Sequence, residues 1–273
     1  MTKTELLRIL QEEGIHLSKQ RGQNYLTDQN MLKSMIRKVN VQSSDHCLEI
    51  GTGFGVLTEA LLATGAKVIS YETDRKVFEV VSRRLGTHPN LILHHEDFLK
   101  SQWTQTLSAP VRVIANLPYN ISSSILIELW MKKRFIQDFS LLLQKEVGER
   151  LTAREPGREI GFLSILLQME FSLKLLKTVP RSAFFPEPKV DSVYLHGISK
   201  PSTLTENEAP AFLQFLKTGF AERRKQLLPR LAKIYPDASN AFVFLNLSPH
   251  LRAETLSPSV WLALFRKIRP PHS

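Results

Sequence analysis

Between about residues 45 and 150, short apolar runs alternate with stretches whose apolar positions recur at helical spacing. The runs at 46–50, 67–72, 91–94, 111–115 and 139–144 read as strands, and 57–64, 75–85 and 123–132 as the helices between them. Strand–helix alternation at this rhythm predicts βαβ units, a parallel sheet and right-handed crossovers. Two further strands are expected at 172–178 and 192–197, flanking the proline-rich FFPEPKV (184–190). No long helix fits between them, so they are expected to form an antiparallel pair at one sheet edge. The pattern describes an α/β fold with a seven-stranded, doubly wound, Rossmann-like sheet.

After Lys200 the pattern changes. PSTLTENEAP (201–210) reads as a linker or loop, and the apolar positions beyond it (Phe212, Phe215, Leu216; Trp261, Leu264, Phe265) keep helical spacing only. The expected division is a domain over 1–200, with an N-terminal helical extension, and a small helical domain over 201–273. Charge sharpens this division. The chain carries +10 overall, and residues 205–273 hold +5 of it, the same excess as the first 204 residues. A basic tail of this kind favours polyanions, with nucleic acid the leading candidate.

Other features narrow the class. The 273 residues hold no apolar run of transmembrane length. MTKTELLRILQEEG is a charged amphipathic helix without a signal-peptide core, which points to the cytoplasm. One cysteine, Cys47, excludes internal disulfides and argues against a cysteine-based metal site; no metal is expected.

The chemistry gathers at predicted strand ends. CLEIGTGFGVLT (47–58) follows a strand and opens a helix, with Gly51, Gly53 and Gly55 spaced as G-x-G-x-G. Such glycines permit positive φ and close backbone approach to a ligand, so a nucleotide-type cofactor is expected there. Glu49 beside the first glycine would repel a pyrophosphate. It suits a cofactor bearing an amine or sulfonium, such as S-adenosylmethionine, or it orders the loop through backbone hydrogen bonds. Glu72, about twenty residues on, matches the acid that accepts from ribose hydroxyls. Asp97, after the third strand, is placed either to take an adenine's exocyclic amine or to cap the next helix.

The fourth strand ends in VRVIANLPYNIS (111–122). The Asn116 side-chain oxygen accepts hydrogen bonds from an amino group. Pro118 holds Leu117 extended, which aims the Leu117 carbonyl at the same point. Two acceptors then grip both hydrogens of an exocyclic amine and draw its lone pair toward a methyl donor. Tyr119 offers a face to a base taken out of its stack. The bland reading is a strand–turn–helix corner with Tyr119 as core.

Eight ordered motifs carry a more specific resemblance: KQRGQNYL (19–26), EIGTGFGVLT (49–58), YETD (71–74), ED (96–97), NLPY (116–119), QKEVGERL (144–151), VPRSAFFPEPKVDSV (179–193) and FAERRKQL (220–227). The chain resembles the ribosomal RNA adenine dimethyltransferase family, in its bacterial small-subunit type. The resemblance implies a class I methyltransferase domain with a helical C-terminal domain. It also implies S-adenosylmethionine as cofactor and dimethylation of N6 on two adjacent adenosines near the 3′ end of 16S rRNA. The implied partner is an immature 30S subunit and the protein a monomer, with a role in small-subunit biogenesis.

The resemblance assigns Asn24 and Leu26 to the cofactor site, beside Gly51, Glu72, Asp97 and Asn116. It assigns Phe184 to the base face opposite Tyr119, with Phe185 an alternative and the core a third reading for either. Arg223, Arg224 and Lys225 are assigned to phosphate contact; other basic clusters lie at Lys132–Arg134 and at Arg150, Arg154 and Arg158. Thr52, Tyr25, Glu187 and Ile160 depart from the family pattern without touching the amine grip. Two other functions compete: a large-subunit rRNA adenine methyltransferase, and a non-catalytic RNA-binding assembly factor that has kept the fold. The segments FFPEPKVDSV and FAERRKQL favour the small-subunit type, and intact NLPY argues against lost catalysis.

Overall fold

The computed structural model describes residues 1–17, 23–154, 160–222 and 225–268. Helix α1 (Lys3–Glu12) starts from a capping box in which Thr2 and Glu5 bond each other's backbone amides. Next come β1 (Tyr25–Leu26), α2 (Gln29–Val39), β2 (His46–Ile50), α3 (Val56–Leu62), β3 (Lys67–Glu72), α4 (Arg75–Leu85), β4 (Leu91–His95), β5 (Val111–Asn116), α5 (Ser122–Met131) and β6 (Ile136–Gln144). The chain continues through α6 (Lys145–Thr152), α7 (Phe162–Glu170), β7 (Phe171–Val179), β8 (Phe184–Phe185) and β9 (Ser192–Ser199). It closes with α8 (Glu208–Phe220), α9 (Leu227–Ala232), α10 (Ala238–Phe244) and α11 (Pro258–Lys267).

Seven strands make one sheet in the order β4-β3-β2-β5-β6-β9-β7. Pairing is parallel from β4 through β6, and β9 runs antiparallel to β6. The expected seven-stranded doubly wound sheet is present, with β7 and β9 neighbours at one edge. Helix α3 stops at Leu62, two residues short of the expected end, because Gly65 takes φ +85° and its amide donates to the Leu62 carbonyl. The separate antiparallel ribbon of β1 with β8 was not expected; it sets Tyr25 opposite Phe185 and Leu26 opposite Phe184.

Two compact units result: one of residues 1–148 with 174–199, the other of 149–173 with 200–273. The single cut expected after residue 200 therefore misplaces residues 149–173. The reason lies in α7, which is apolar on more than one side and packs against α8 and α11 within the second unit. Glu170 at its end is buried and accepts from the Thr203 amide (3.1 Å), the Thr203 hydroxyl (2.6 Å) and the Ser202 hydroxyl (3.1 Å). Aromatic packing fills the interior of this unit, with Trp261 against Phe215 and Phe220.

In the first unit the central strand β5 is buried along Val111–Ala115, including Arg112. That guanidinium is bonded through all three nitrogens: it donates to Asp45 (2.7 Å), to Asp138 (3.0 Å) and to the Val39 carbonyl (2.6 Å). It thus clasps β5, β6 and the end of α2 near the amino ends of the strands. Among the described residues no helix is long and apolar enough to cross a membrane, and no cluster of side chains suits a metal ion. Asp138→Ala is expected to cost about 3 kcal/mol in urea denaturation, because it leaves part of a buried charge unpaired. A loss within error of zero would show that the clasp does not hold the sheet.

Candidate active site

Strand β2 is followed on one side by β3 and flanked on the other by β5, so the loops leaving their carboxyl ends diverge and open a crevice. A cavity of about 990 Å³ occupies it, walled by the glycine loop after β2, the ends of β3 and β4, the corner after β5 and residues 23–26. Gly51, Glu72, Asp97, Asn116, Leu117, Pro118, Tyr119, Asn24 and Leu26 all line this cavity.

The glycine loop has to be glycine. Gly53 sits at φ +53°, and a Cβ there would stand 2.8 Å from Cε1 of Tyr25. The amides of Gly51 and Thr52 both donate to the Tyr71 carbonyl, at 2.9 and 3.1 Å. Glu72 braces the loop from β3: Oε2 accepts from the Gly53 amide and Oε1 from the Asp74 amide, each at 2.8 Å. Burial pushes the Glu72 carboxyl up, against those backbone bonds. The Thr73 amide engages the same carboxylate, which leaves one of its four acceptor positions for another donor.

Glu49 is 1% exposed. The parallel register sets it beside Ser70, whose hydroxyl donates to Glu49 Oε2 at 2.7 Å; the Thr58 hydroxyl donates to the same oxygen at 2.6 Å. Oε1 is buried and has no hydrogen-bond partner among the described residues. Burial raises this carboxyl to about 8, with Thr58 and Ser70 pulling it down and Glu72 adding a smaller push upward. Thr52, one of the departures from the family pattern, shares its hydroxyl with Ser70 at 2.6 Å. The expected backbone bonds to the loop are replaced by hydroxyl donors from α3 and β3, and Glu49 brings an acid to the cavity wall.

Asp97 caps the short 3-10 turn Phe98–Lys100, accepting from the Leu99 amide at 3.1 Å, and it also lines the cavity. The cap uses Oδ1, and Oδ2 lies 3.8 Å from the Lys100 ammonium. The two readings of Asp97 are compatible.

At the end of β5, the Asn116 Nδ2 donates to the Asn24 carbonyl at 2.8 Å. That bond takes one of the two Nδ2 hydrogens and fixes the amide, and Oδ1 is an acceptor without a donor among the described residues. The Leu117 amide donates to the Leu142 carbonyl at 3.3 Å, so the corner stays tied to β6. Tyr119 is partly buried on the cavity wall, and its hydroxyl and that of Ser192 lie 2.6 Å apart, which fixes the ring.

Phe184 departs from its expected place. It is 3% exposed, packed in the core with Leu26, Leu32 and Met35, and it does not line the cavity. Pairing opposite Leu26 in the β1–β8 ribbon turns it inward. Phe185 is partly buried, with the Lys3 ammonium 5.2 Å from its ring centre. Lys225 is exposed; Arg223 and Arg224 lie outside the described residues, as do residues 19–22 and Arg158.

Sequence reasoning missed the hydroxyls around Glu49 and the Ser192 anchor of Tyr119. For Ser70 a signal existed: it shares a face of β3 with Glu72, two residues on. Ser192 and Thr58 become visible only once strand register and helix rotation are known.

Glu49 links the site to stability. Its folded value of about 8 lies above the ordinary 4.5, so the folded chain holds a proton that the unfolded chain has shed in that window. The resulting stabilisation is complete below the lower value and is lost as pH rises toward the upper one. The urea midpoint is expected to fall more steeply from pH 5 to 8 for the parent protein than for Glu49→Gln. Parallel profiles would show that Glu49 is ionised in the fold.

The model of the family described as ribosomal RNA adenine dimethylase matches residues 15–269. A protein of Chlorobium phaeobacteroides named ribosomal RNA small subunit methyltransferase A is 36% identical, over 94% of this chain and 95% of its own length. One of the same name from Bacillus mycoides is 32% identical, over 91% of this chain and 90% of its own. Among solved structures, a dimethyladenosine transferase from Plasmodium falciparum superimposes with a TM-score of 0.69 at 25% identity, covering 88% of this chain and 95% of the other. The 23S rRNA methyltransferase ErmE shares the fold, with a TM-score of 0.67 at 22% identity over 89% of this chain and 99% of its own. A match running from just after α1 to just past α11, on a fold whose strand ends gather the expected acids and asparagine, places this chain in the ribosomal RNA adenine dimethylase family.

Proposed function

We propose that this protein transfers methyl groups from S-adenosylmethionine to N6 of two adjacent adenosines near the 3′ end of 16S rRNA. It acts in the cytoplasm as a monomer, on an immature 30S subunit. The observation that carries the reading is the bond from the Asn116 amide nitrogen to the Asn24 carbonyl, because it fixes the amide's orientation and leaves its oxygen as the open acceptor.

The residues suit the cofactor. The cavity combines a close-approach glycine loop with acids at three successive strand ends, a wall that favours a ligand rich in hydroxyls and positive charge. Glu72 would hold the ribose hydroxyls, Asp97 the adenine amine, and Gly51, Asn24 and Leu26 the remaining surface. S-adenosylmethionine, when bound, supplies an electrophilic methyl group on a sulfonium.

The chain's own contribution is alignment. Asn116 Oδ1 and the Leu117 carbonyl accept the two hydrogens of the adenine amine, which weakens conjugation of its lone pair with the ring. Tyr119, its hydroxyl anchored by Ser192, holds the flipped base by stacking. No strong base is required, since the nitrogen loses its proton after attack. Proximity and orientation supply the acceleration. After one transfer the nitrogen retains one hydrogen, enough to engage one acceptor for the second.

Recognition of the particle falls to the basic surface, including Lys225 with Arg223 and Arg224, through phosphate contacts that position without reading sequence. The names of the bacterial relatives support the small subunit over the large one. Intact catalytic residues support a working enzyme over a purely structural assembly factor.

The test is to incubate the protein with labelled S-adenosylmethionine and either immature 30S particles or 50S precursors, then map the label. Label in dimethyladenosine of 16S rRNA is expected; label confined to 23S rRNA would overturn the reading, and binding without transfer would favour an assembly factor. Asn116→Ala should reduce transfer on the order of 10²–10³-fold, the scale of a lost preorganised hydrogen bond, while retaining particle binding. Unchanged turnover would rule out the amine grip. Particle binding should also weaken steeply between 50 and 200 mM salt, as phosphate contacts require; a flat salt response would exclude the basic surface as the docking face.

A further inference from the structure

Glu49 is the most deeply buried carboxylate on the cavity wall, and the amine grip makes no use of it. Both of its donors, Thr58 on α3 and Ser70 on β3, serve Oε2, while Oε1 has no partner among the described residues. A buried carboxylate ion is ordinarily paired with a cation or with several N–H groups. Among the described residues nothing of that kind faces Glu49. Helix α3 presents a hydroxyl, and β3 presents a hydroxyl and the like charge of Glu72. The glycine loop presents Thr52, whose own hydroxyl is engaged with Ser70. Cys47, on the same strand, is a buried thiol pushed up to about 12 by its burial, and it brings no positive charge. Such surroundings suit a neutral acid, and they leave one position where a positive partner is missing.

We propose that Glu49 is a specificity-determining residue that reads the positive charge of the methyl donor: it is an uncharged acid before the donor binds and an ion afterwards, its proton released to water. The inference rests on the cofactor assigned above. Burial holds the carboxyl near 8 without the donor, so at neutral pH most molecules have a proton to release. Binding is therefore linked to pH: affinity for the donor rises as pH approaches 8 and levels off above it, by up to about tenfold per pH unit in the steep part.

Calorimetry of S-adenosylmethionine binding to the full chain at pH 7, in buffers of different ionisation enthalpy, counts the protons released. The parent protein is expected to release nearly one proton more than Glu49→Gln; the donor's own amine titrates equally in both and cancels. Equal counts would overturn the inference. Should the variant not fold, infrared difference spectra of the parent protein serve instead. The carbonyl band of a protonated carboxyl is expected to disappear on adding S-adenosylmethionine, and its persistence would overturn the inference. A parent protein that does not bind the donor at all would remove the functional reading too, whereas binding without Glu49-dependent proton release removes this inference alone.

Discussion

Parallel pairing of β2 with β3 on one side and β5 on the other brings three strand ends to the same edge of the sheet. Because parallel partners in register point their side chains to the same face, Glu49 meets Ser70. The loop after β2 then bends back across the end of β3, where Glu72 takes the Gly53 amide. The corner after β5 closes the other side, with Pro118 3.9 Å from where a Gly51 side chain would begin. Shifting any one of these strands by a residue would turn its polar end group to the opposite face and dissolve the site. The chemistry depends on register before it depends on any single side chain.

Charge is handled in opposite ways at the two ends of the sheet. Near the amino ends, Arg112 is buried but paired with two carboxylates, Asp45 and Asp138, and bonded to the Val39 carbonyl. Near the carboxyl ends, Glu49 and Glu72 are buried with hydroxyl and backbone donors only, and burial raises the cost of ionising both, with Glu72 adding to that of Glu49. The first arrangement is complete in itself and belongs to folding. The second is incomplete, and an incomplete buried polar group is where a ligand contributes most.

The α/β alternation, the glycine loop and the acids that follow it were legible in the sequence because each rests on local periodicity or on short spacing. So was NLPY, whose proline and asparagine have few conformational options. The β1–β8 ribbon was not: two residues per strand show no alternation, and the pairing spans from Tyr25 to Phe185. Phe184 was misplaced for that reason, since its inward orientation comes from the ribbon. The domain cut failed over residues 149–173 because helical spacing shows that α7 is apolar without showing which partner covers it. The ring of hydroxyls about Glu49 depended on strand register, which no single segment contains.

The Asn116 amide is oriented by a backbone carbonyl, and that carbonyl belongs to the segment walling the cavity. Asn24 leads directly into β1, which is held by β8 and by the Thr27 amide donating to the Ala183 carbonyl at 2.8 Å. The orientation of Asn116 is thus tied, through one hydrogen bond, to a ribbon whose other strand comes from a loop some 160 residues further along the chain. A side-chain partner for Asn116 would have been adjustable by rotamer; a carbonyl moves only with its chain. Tyr119 follows the same logic, anchored by Ser192 at the start of β9. Tyr119 is therefore held directly from the distant segment of the first unit, and Asn116 through the β1–β8 ribbon that this segment completes. The reactive corner is short, but its geometry is a property of the whole sheet domain.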